Sequence, residues 1–179
     1  MSVIEATIAE QVPVGTWKID STHSSVEFQI KHTGIATIRG RFAGVEGTLV
    51  GGEAPSLAGT IQVATVDTAD EQRDTHLASP DFFDVERFPV ATFEATRFEP
   101  GLVVGTLTLK GVTREVELDA SFAGTGVDPW GNERIGLDLE GEIDRTDFGL
   151  IWNAPLPGGG FLLSDRVRLQ ASFSLVKEA

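Results

Sequence analysis

The sequence predicts an all-β fold, an extended antiparallel β-barrel of about eight strands with short helices inserted around residues 70–87. Three observations predict it. The 179 residues include 20 Gly and 8 Pro with 41% hydrophobic residues, a composition typical of many strands and turns. Polar and apolar residues alternate over several segments, as they do in half-buried strands. Clusters such as GGEAPS, DPWGN and PLPGGG separate these segments and favour turns.

The first elements follow a short N-terminal segment. Residues 1–14 are predicted to be a tail that packs loosely on a single domain at residues 15–179, a length usual for one domain. A lead-in at residues 17–20 precedes the first clear strand. That strand begins near Ser24, and one of its faces carries Val26, Phe28, Ile30 and His32.

Later strands repeat the period-two pattern. Weaker ones are predicted at residues 39–50, 90–98 and 102–109. The clearer ones have apolar rows formed by Leu57, Gly59, Ile61, Val63 and Thr65; by Val116, Leu118, Ala120 and Phe122; by Ile135, Leu137, Leu139 and Ile143; and by Val167, Leu169, Ala171, Phe173 and Leu175. One-sided alternation indicates antiparallel strands with one solvated face. A barrel is favoured over a sandwich because closure removes the unpaired edges.

The stretch EQRDTHLASPDFFDVERFP interrupts this alternation. Asp70, Glu71 and Asp74 crowd a first helical turn, where the helix dipole favours acidic residues. Ser79 can cap a second helix whose first position is Pro80. We therefore predict two short helices between strands.

Composition excludes several classes of protein. Fourteen basic and 27 acidic residues give a net charge of −13, which argues against binding nucleic acid and against docking on an anionic membrane. The absence of Cys excludes disulfides, thiolate nucleophiles and Cys-based metal sites. The sequence contains no run of about 18 apolar residues, so no transmembrane segment is predicted. The N-terminus lacks the charged and apolar regions of a signal peptide, so we expect a cytoplasmic protein.

Few residues suggest metal or nucleophilic chemistry. His23, His32 and His76 show no metal-binding spacing, and the first two fall at opposite ends of one predicted strand, so we predict no metal site. No GxSxG elbow occurs. Arg145 and Asp147 are predicted to pair at a turn.

The cluster of Arg73, Asp74 and His76 has two interpretations. It could do acid–base work, or it could form a hydrogen-bonded network that ties the insertion to the barrel. We favour the network and predict no catalytic residue. Bulky aromatic residues are also numerous, and they either fill the barrel or line a ligand cavity, since eight strands are compatible with both.

Four blocks of the sequence resemble the YceI family of polyisoprenoid-binding, lipocalin-like proteins. They are WKIDSTHSSVEFQIKHTGIATIRGRFAGVEGTL, VDTADEQRDTHLASPDFFDVERFPVATFEAT, GTLTLKGVTREVEL and IDRTDFGL. The blocks stand in the family's order, and the resemblance extends from about residue 15 to about residue 176.

The resemblance implies a barrel whose internal tunnel holds an isoprenoid chain, such as a polyprenyl or quinone tail, with no other cofactor. The RDxHL and SPDFF segments match the family's insertion, which we interpret as a lid and scaffold at one end of the barrel. Many members of the family are periplasmic. The resemblance is compatible with a homodimer, although no segment fixes the stoichiometry.

Alternation then assigns the residues that face the tunnel. The predicted ligand-binding residues are Phe28, Ile30, His32, Phe42, Ile61, Val63, Phe83, Phe93, Leu107, Leu118, Phe148 and Trp152. His32, at the end of an inward row, could bind a head group or satisfy a buried carbonyl.

The main hypothesis is non-catalytic binding, transport or storage of a long isoprenoid lipid. Two alternatives remain: an enzyme that acts on a lipid or quinone through Arg73, Asp74 and His76, and an interaction module with a solid core and an acidic outer face.

Overall fold

Hydrogen bonds between antiparallel strands join most of the chain into one sheet in the computed structural model, which describes residues 6–179. Two α-helices are present in this range, α1 (Ile8–Gln11) and α2 (Glu71–Ala78). The strands are β1 (Gly15–Ile19), β2 (Ser25–His32), β3 (Ala36–Phe42), β4 (Val45–Gly51), β5 (Ser56–Gln62), β6 (Val66–Asp67), β7 (Val90–Glu99), β8 (Leu102–Leu109), β9 (Val112–Val127), β10 (Glu133–Asp144) and β11 (Leu163–Lys177).

Eight of these strands close a barrel, which confirms the predicted fold. The ring runs β1-β4-β5-β7-β8-β9-β10-β11 and closes where β11 pairs with β1. Strand β11 is long enough to have two partners on one side, since residues 175–177 pair with β1 and residues 163–172 pair with β2. Strands β2, β3 and β6 therefore extend the sheet beyond the ring.

The strand predicted at residues 39–50 is in fact two strands, β3 and β4, because strand pairing is interrupted at Gly44. The Gly44 N–H donates to the Thr65 hydroxyl at 3.0 Å and not to a neighbouring strand. A Cβ atom at this position would lie only 2.8 Å from the Gln62 Cβ, so a glycine is needed for the close approach.

One end of the barrel is filled by a packed cluster, which we call the solid half. It contains Trp17, Leu49, Leu137 and Leu175 from the strands, with Ile8 and Val12 from the N-terminal segment. Residues 1–5 of the predicted tail lie outside the described range. Residues 8–12 plug this end, because the side chains of Ile8 and Val12 enter the cluster. The boundary at residue 15 stays a prediction.

The insertion, residues 70–88, contains one helix and not the two predicted. Asp70 caps α2 by accepting a hydrogen bond from the Arg73 N–H at 2.9 Å. Ser79, predicted to start a second helix, ends α2 instead. The N–H groups of Phe83, Asp84 and Val85 donate back to carbonyls at the end of α2, so the chain folds over its own helix as turns. No helix among residues 6–179 is long and apolar enough to cross a membrane.

Candidate functional site

An elongated apolar cavity of about 370 Å³ occupies the other part of the barrel, which we call the hollow half. Its wall is formed by the inward rows of the strands and by the insertion. The cavity extends along β11 from Leu163 to Phe173, which at about 3.3 Å per residue is roughly 30 Å of strand. It stops at the solid half, because Trp17, Leu137 and Leu175 do not line it.

Two glycines allow bulky rings to lie against the wall of the cavity. Gly40 faces Phe28 across the β2–β3 pair, and a Cβ atom at Gly40 would collide with the Phe28 ring. Likewise, a Cβ at Gly105 would lie 2.5 Å from Cζ of Phe93. Both rings therefore cover a neighbouring glycine and leave the centre of the bore open.

Eleven of the twelve residues predicted to bind a ligand line this cavity: Phe28, Ile30, His32, Phe42, Ile61, Val63, Phe83, Phe93, Leu107, Leu118 and Trp152. Phe148 does not. It lies in the 3-10 turn Arg145–Phe148 that follows β10, is 2% exposed, and packs in the wall behind the cavity. Strand alternation ends at Asp144, so it gives no information on the direction of Phe148.

Several lining residues escaped the sequence prediction. Val26, Val116, Ile143 and Val167 belong to apolar rows that alternation does identify, so the signal was present for them. Leu77 and Phe82 come from the insertion. Leu150 and Leu162 lie in the loop after the 3-10 turn, and Leu163 is the first residue of β11. These segments have no period-two pattern, so their direction depends on tertiary packing.

Two members of the proposed acid–base cluster bind the same residue. The Arg73 Nε and Nη2 donate to the Thr68 hydroxyl and carbonyl, each at 2.7 Å. The Asp74 carboxylate accepts from the Thr68 N–H at 2.9 Å and from its hydroxyl at 2.6 Å. Arg73 also lines the cavity, whereas Asp74 does not. This network ties α2 to the end of β6, as the non-catalytic interpretation predicts.

His76 belongs to an aromatic cluster at the cavity wall. Its Nε2 lies 2.9 Å from the Asp81 Oδ2. The His76 ring packs edge-to-face against the rings of Phe82 and Trp152. The ring centroids of His76 and Phe82 are 5.0 Å apart, and those of His76 and Trp152 are 4.8 Å apart. The cluster fixes the insertion against the loop that carries Trp152.

His32 also lines the cavity, near one end of β2. Its ring forms no hydrogen bond with any of residues 6–179, so the structure does not show the backbone carbonyl partner considered above. Within the same range, no group of three or more His, Asp or Glu side chains is placed to hold a metal ion.

The predicted pair of Arg145 and Asp147 is wrong. Arg145 is 3% exposed, and its Nη2 lies 3.5 Å from Asp165 Oδ1. Its Nε donates to the Ser164 carbonyl at 2.9 Å, and its Nη1 donates to the carbonyls of Leu150 and Trp152. Burial lowers the pKa of this guanidinium. Arg145 thus holds residues 149–164, which we call the mouth loop, at both of its ends.

A second charged network lies away from the cavity. The Arg134 guanidinium donates to Asp20 and to Asp128, each at 2.9 Å. Hydrogen bonds from His23 and Arg134 lower the pKa of Asp20 to about 2. At Asp128, desolvation by itself raises the pKa of the carboxyl. Hydrogen bonds from Arg134 and Asn132 outweigh this effect and hold the pKa well below its usual range. None of these groups lines the cavity, so the network is structural.

Comparisons with known proteins agree with this geometry. A family model described as a YceI-like domain matches residues 17–175. UPF0312 protein SA2479 of Staphylococcus aureus (strain N315) is 37% identical over 158 residues, which is 86% of this chain and 92% of that protein.

Two solved structures share the fold. BcnA of Burkholderia cenocepacia superposes with a TM-score of 0.71 at 24% identity, over 89% of this chain and 99% of BcnA. A polyisoprenoid binding domain from Saccharophagus degradans, implicated in plant cell wall breakdown, superposes with a TM-score of 0.69 at 17% identity, over 93% of this chain and all (100%) of that one.

Proposed function

The chain belongs to the YceI-like family, and from that premise we propose that it binds a long isoprenoid lipid without catalysis, as a carrier or store. The proposed ligand is a polyprenyl or quinone-type tail lying in the hollow half of the barrel. The observation that carries the proposal is the elongated cavity of about 370 Å³, whose wall is almost entirely apolar.

Burial of the tail alone is sufficient for tight binding. At about 0.8 kcal/mol per CH₂, one isoprene unit contributes roughly 3 to 4 kcal/mol. Three or four units therefore exceed roughly 10 kcal/mol before the costs of ordering and association are subtracted. Apolar walls discriminate weakly between hydrocarbons of different chemistry, so the length and width of the bore set the specificity.

The polar residues of the cavity support binding better than catalysis. Arg73 and Asp74 hold Thr68, and His76 pairs with Asp81 within an aromatic cluster. An acid–base mechanism needs groups directed at a substrate within hydrogen-bonding distance. In this structure the cluster satisfies its own hydrogen bonds and positions the insertion, and the hollow interior also disfavours the solid-core interaction module.

Trp152 provides a direct test. It lines the cavity, whereas Trp17 is packed in the solid half and Trp130 is exposed on the turn between β9 and β10. We expect that adding geranylgeraniol, a polyprenol of four isoprene units, changes the tryptophan fluorescence saturably.

The variant Trp152→Phe is the matched control. It should lose the fluorescence change yet still bind radiolabelled geranylgeraniol, while Trp130→Phe should behave like the wild type in both assays. Absence of saturable binding to the wild type would contradict the proposed function. Organic extraction of protein purified without detergent, followed by mass spectrometry, would identify the ligand carried in the cell.

A further inference from the structure

Three large apolar side chains are exposed at one end of the barrel. Ile35, in the turn between β2 and β3, is 84% exposed, and Ile151 and Phe161, in the mouth loop, are 72% and 65% exposed. Single exposed apolar residues are ordinary on protein surfaces, whereas a group of them at one place marks an interaction site.

Backbone hydrogen bonds bring these three residues to the same place. The Thr33 N–H donates to the Leu162 carbonyl at 2.7 Å, which joins the β2–β3 turn to the mouth loop beside Phe161. Within the loop, the Leu162 N–H donates to the Ala154 carbonyl at 2.8 Å and brings the segment that contains Ile151 alongside. We call Ile35, Ile151 and Phe161 the apolar rim.

The apolar rim is continuous with the cavity. His32, Trp152, Leu162 and Leu163 are sequence neighbours of the rim residues, and all four line the cavity wall. The edge-to-face contact of His76 with Trp152 shows that the insertion lies at this end too. The rim therefore surrounds the part of the bore that is farthest from the solid half.

The segments that carry the apolar rim are less charged than the rest of the chain. Residues 149–164 contain no Asp, Glu, Lys or Arg. With 41 charged residues in 179, a stretch of 16 would contain about four on average (16 × 41/179). The turn at residues 33–35 is also uncharged. The mouth loop and this turn thus form a neutral, apolar patch on a protein of net charge −13, and this patch complements a neutral surface better than a basic or an acidic partner.

We propose that the apolar rim docks on the surface of a neutral, zwitterionic lipid bilayer, where the hollow half exchanges its ligand. This proposal rests on the proposed function, because an isoprenoid that leaves the bore must pass directly into another apolar medium. Ile35, Ile151 and Phe161 enter the bilayer interface, and the neutral mouth loop avoids the cost of placing charges there.

The chain contains a matched control for this surface. Val127 and Trp130 are 70% and 81% exposed, but they lie at the end of β9 and in the β9–β10 turn beside the solid half, close to Asp128 and Glu133. The test compares Ile35→Ser/Phe161→Ser with Val127→Ser/Trp130→Ser, since each pair removes one aliphatic and one aromatic exposed side chain. Both pairs are on the surface, so the fold should be preserved, and circular dichroism checks this.

Flotation with phosphatidylcholine vesicles measures docking. The wild type and the control pair should float with the vesicles at low and high salt alike, and the rim pair should partition at least roughly tenfold less, the factor expected from burial of one such side chain. The transfer rate of geranylgeraniol from the vesicles, followed by Trp152 fluorescence, should fall in parallel. The affinity of all three proteins for geranylgeraniol delivered from cyclodextrin should be equal.

Several results would overturn the proposal. Equal flotation of the rim and control pairs would do so, as would failure of the wild type to float. A wild-type dimer in ultracentrifugation that the rim pair converts to a monomer, without flotation, would show that a second copy covers the rim. If the three proteins transferred geranylgeraniol from vesicles at equal rates and bound it normally from cyclodextrin, docking would be refuted but the proposed function would stand. If none of the three bound geranylgeraniol from cyclodextrin, the proposed function would be refuted.

Discussion

Filling the bore from its wall should weaken ligand binding strongly without destabilising the protein. Ala91 on β7 is buried, lines the cavity and lies opposite Ile61 of β5. The variant Ala91→Phe places a phenyl ring in the bore. Because the ring enters empty space, we expect the free energy of unfolding to stay the same or to rise.

The loss of affinity follows from the volume that the ring takes. A phenyl group adds about six carbons, so it displaces about one isoprene unit, worth roughly 4 kcal/mol of burial. The displaced unit keeps some contacts elsewhere in the bore, and we therefore expect about half of this value or more to be lost. That loss of about 2 to 4 kcal/mol corresponds to binding that is roughly 30-fold to 700-fold weaker. Titration with geranylgeraniol measures it.

The same substitution in the solid half is the control. Ala120 belongs to the packed cluster and does not line the cavity. Ala120→Phe should lower the free energy of unfolding by about 1 to 3 kcal/mol through overpacking, and the folded fraction should bind geranylgeraniol normally. The reasoning would be refuted if Ala91→Phe bound the probe as the wild type does, or if it destabilised the protein as much as Ala120→Phe.

Three further predictions concern the wall, the mouth loop and the charged network. Gly40→Ala should cost about 1 to 3 kcal/mol in urea denaturation because its methyl group strikes Phe28, and Phe28→Leu in the same chain should recover much of that loss. Arg145→Gln removes buried donors from three carbonyls and should cost about 2 to 4 kcal/mol, with faster release of bound geranylgeraniol; unchanged values would show that the mouth loop is held by other contacts. Arg134→Gln should destabilise most at neutral pH. The folded-state pKa of Asp20 is lowered to about 2 from 3.8, so its contribution is present above pH 4 and is lost as the pH falls towards 2. The pKa of Asp128, the other partner of Arg134, is lowered further, so its contribution is lost only in part over this range. The difference between wild type and variant in denaturation should therefore narrow from pH 7 to pH 2 without vanishing, and a constant difference would contradict this assignment.

The fold was largely predictable because one-sided alternation is a strong local signal. The strand predicted at residues 102–109 has those bounds in the structure, and the one predicted at 90–98 is β7, Val90–Glu99. Each strand buries one face, so a slip of one residue would expose its whole apolar row. Pairing of β11 with both β1 and β2 was not predictable, since it depends on contacts between distant parts of the chain.

The second predicted helix failed because local signals favoured it and non-local ones did not. Ser79-Pro80 is a good helix start by itself. In the folded chain the backbone turns back on α2, and Asp84 takes a left-handed conformation with a φ of +51°, which no continuous helix accommodates. The N-terminal plug had a signal that was overlooked, since Thr7 and Glu10 form a capping box around α1.

Whether the barrel is hollow could not be deduced from alternation. Leu, Val and Ile form the inward rows in both halves, and the same pattern is compatible with a core or with a bore. What differs is non-local: Ile8, Val12 and Trp17 fill one half, while Phe28 and Phe93 lie over glycines in the other. The role of Arg145 was equally inaccessible, because its partners come from the mouth loop and from β11.

A crystal structure of the protein with geranylgeraniol would test most directly whether the hollow half holds an oily tail. We predict continuous density along the bore, from Trp152 at the apolar rim past Phe28 and Phe93 towards Phe173. Side chains that close the bore in the crystal, or geranylgeraniol bound only on the outer surface, would contradict the account.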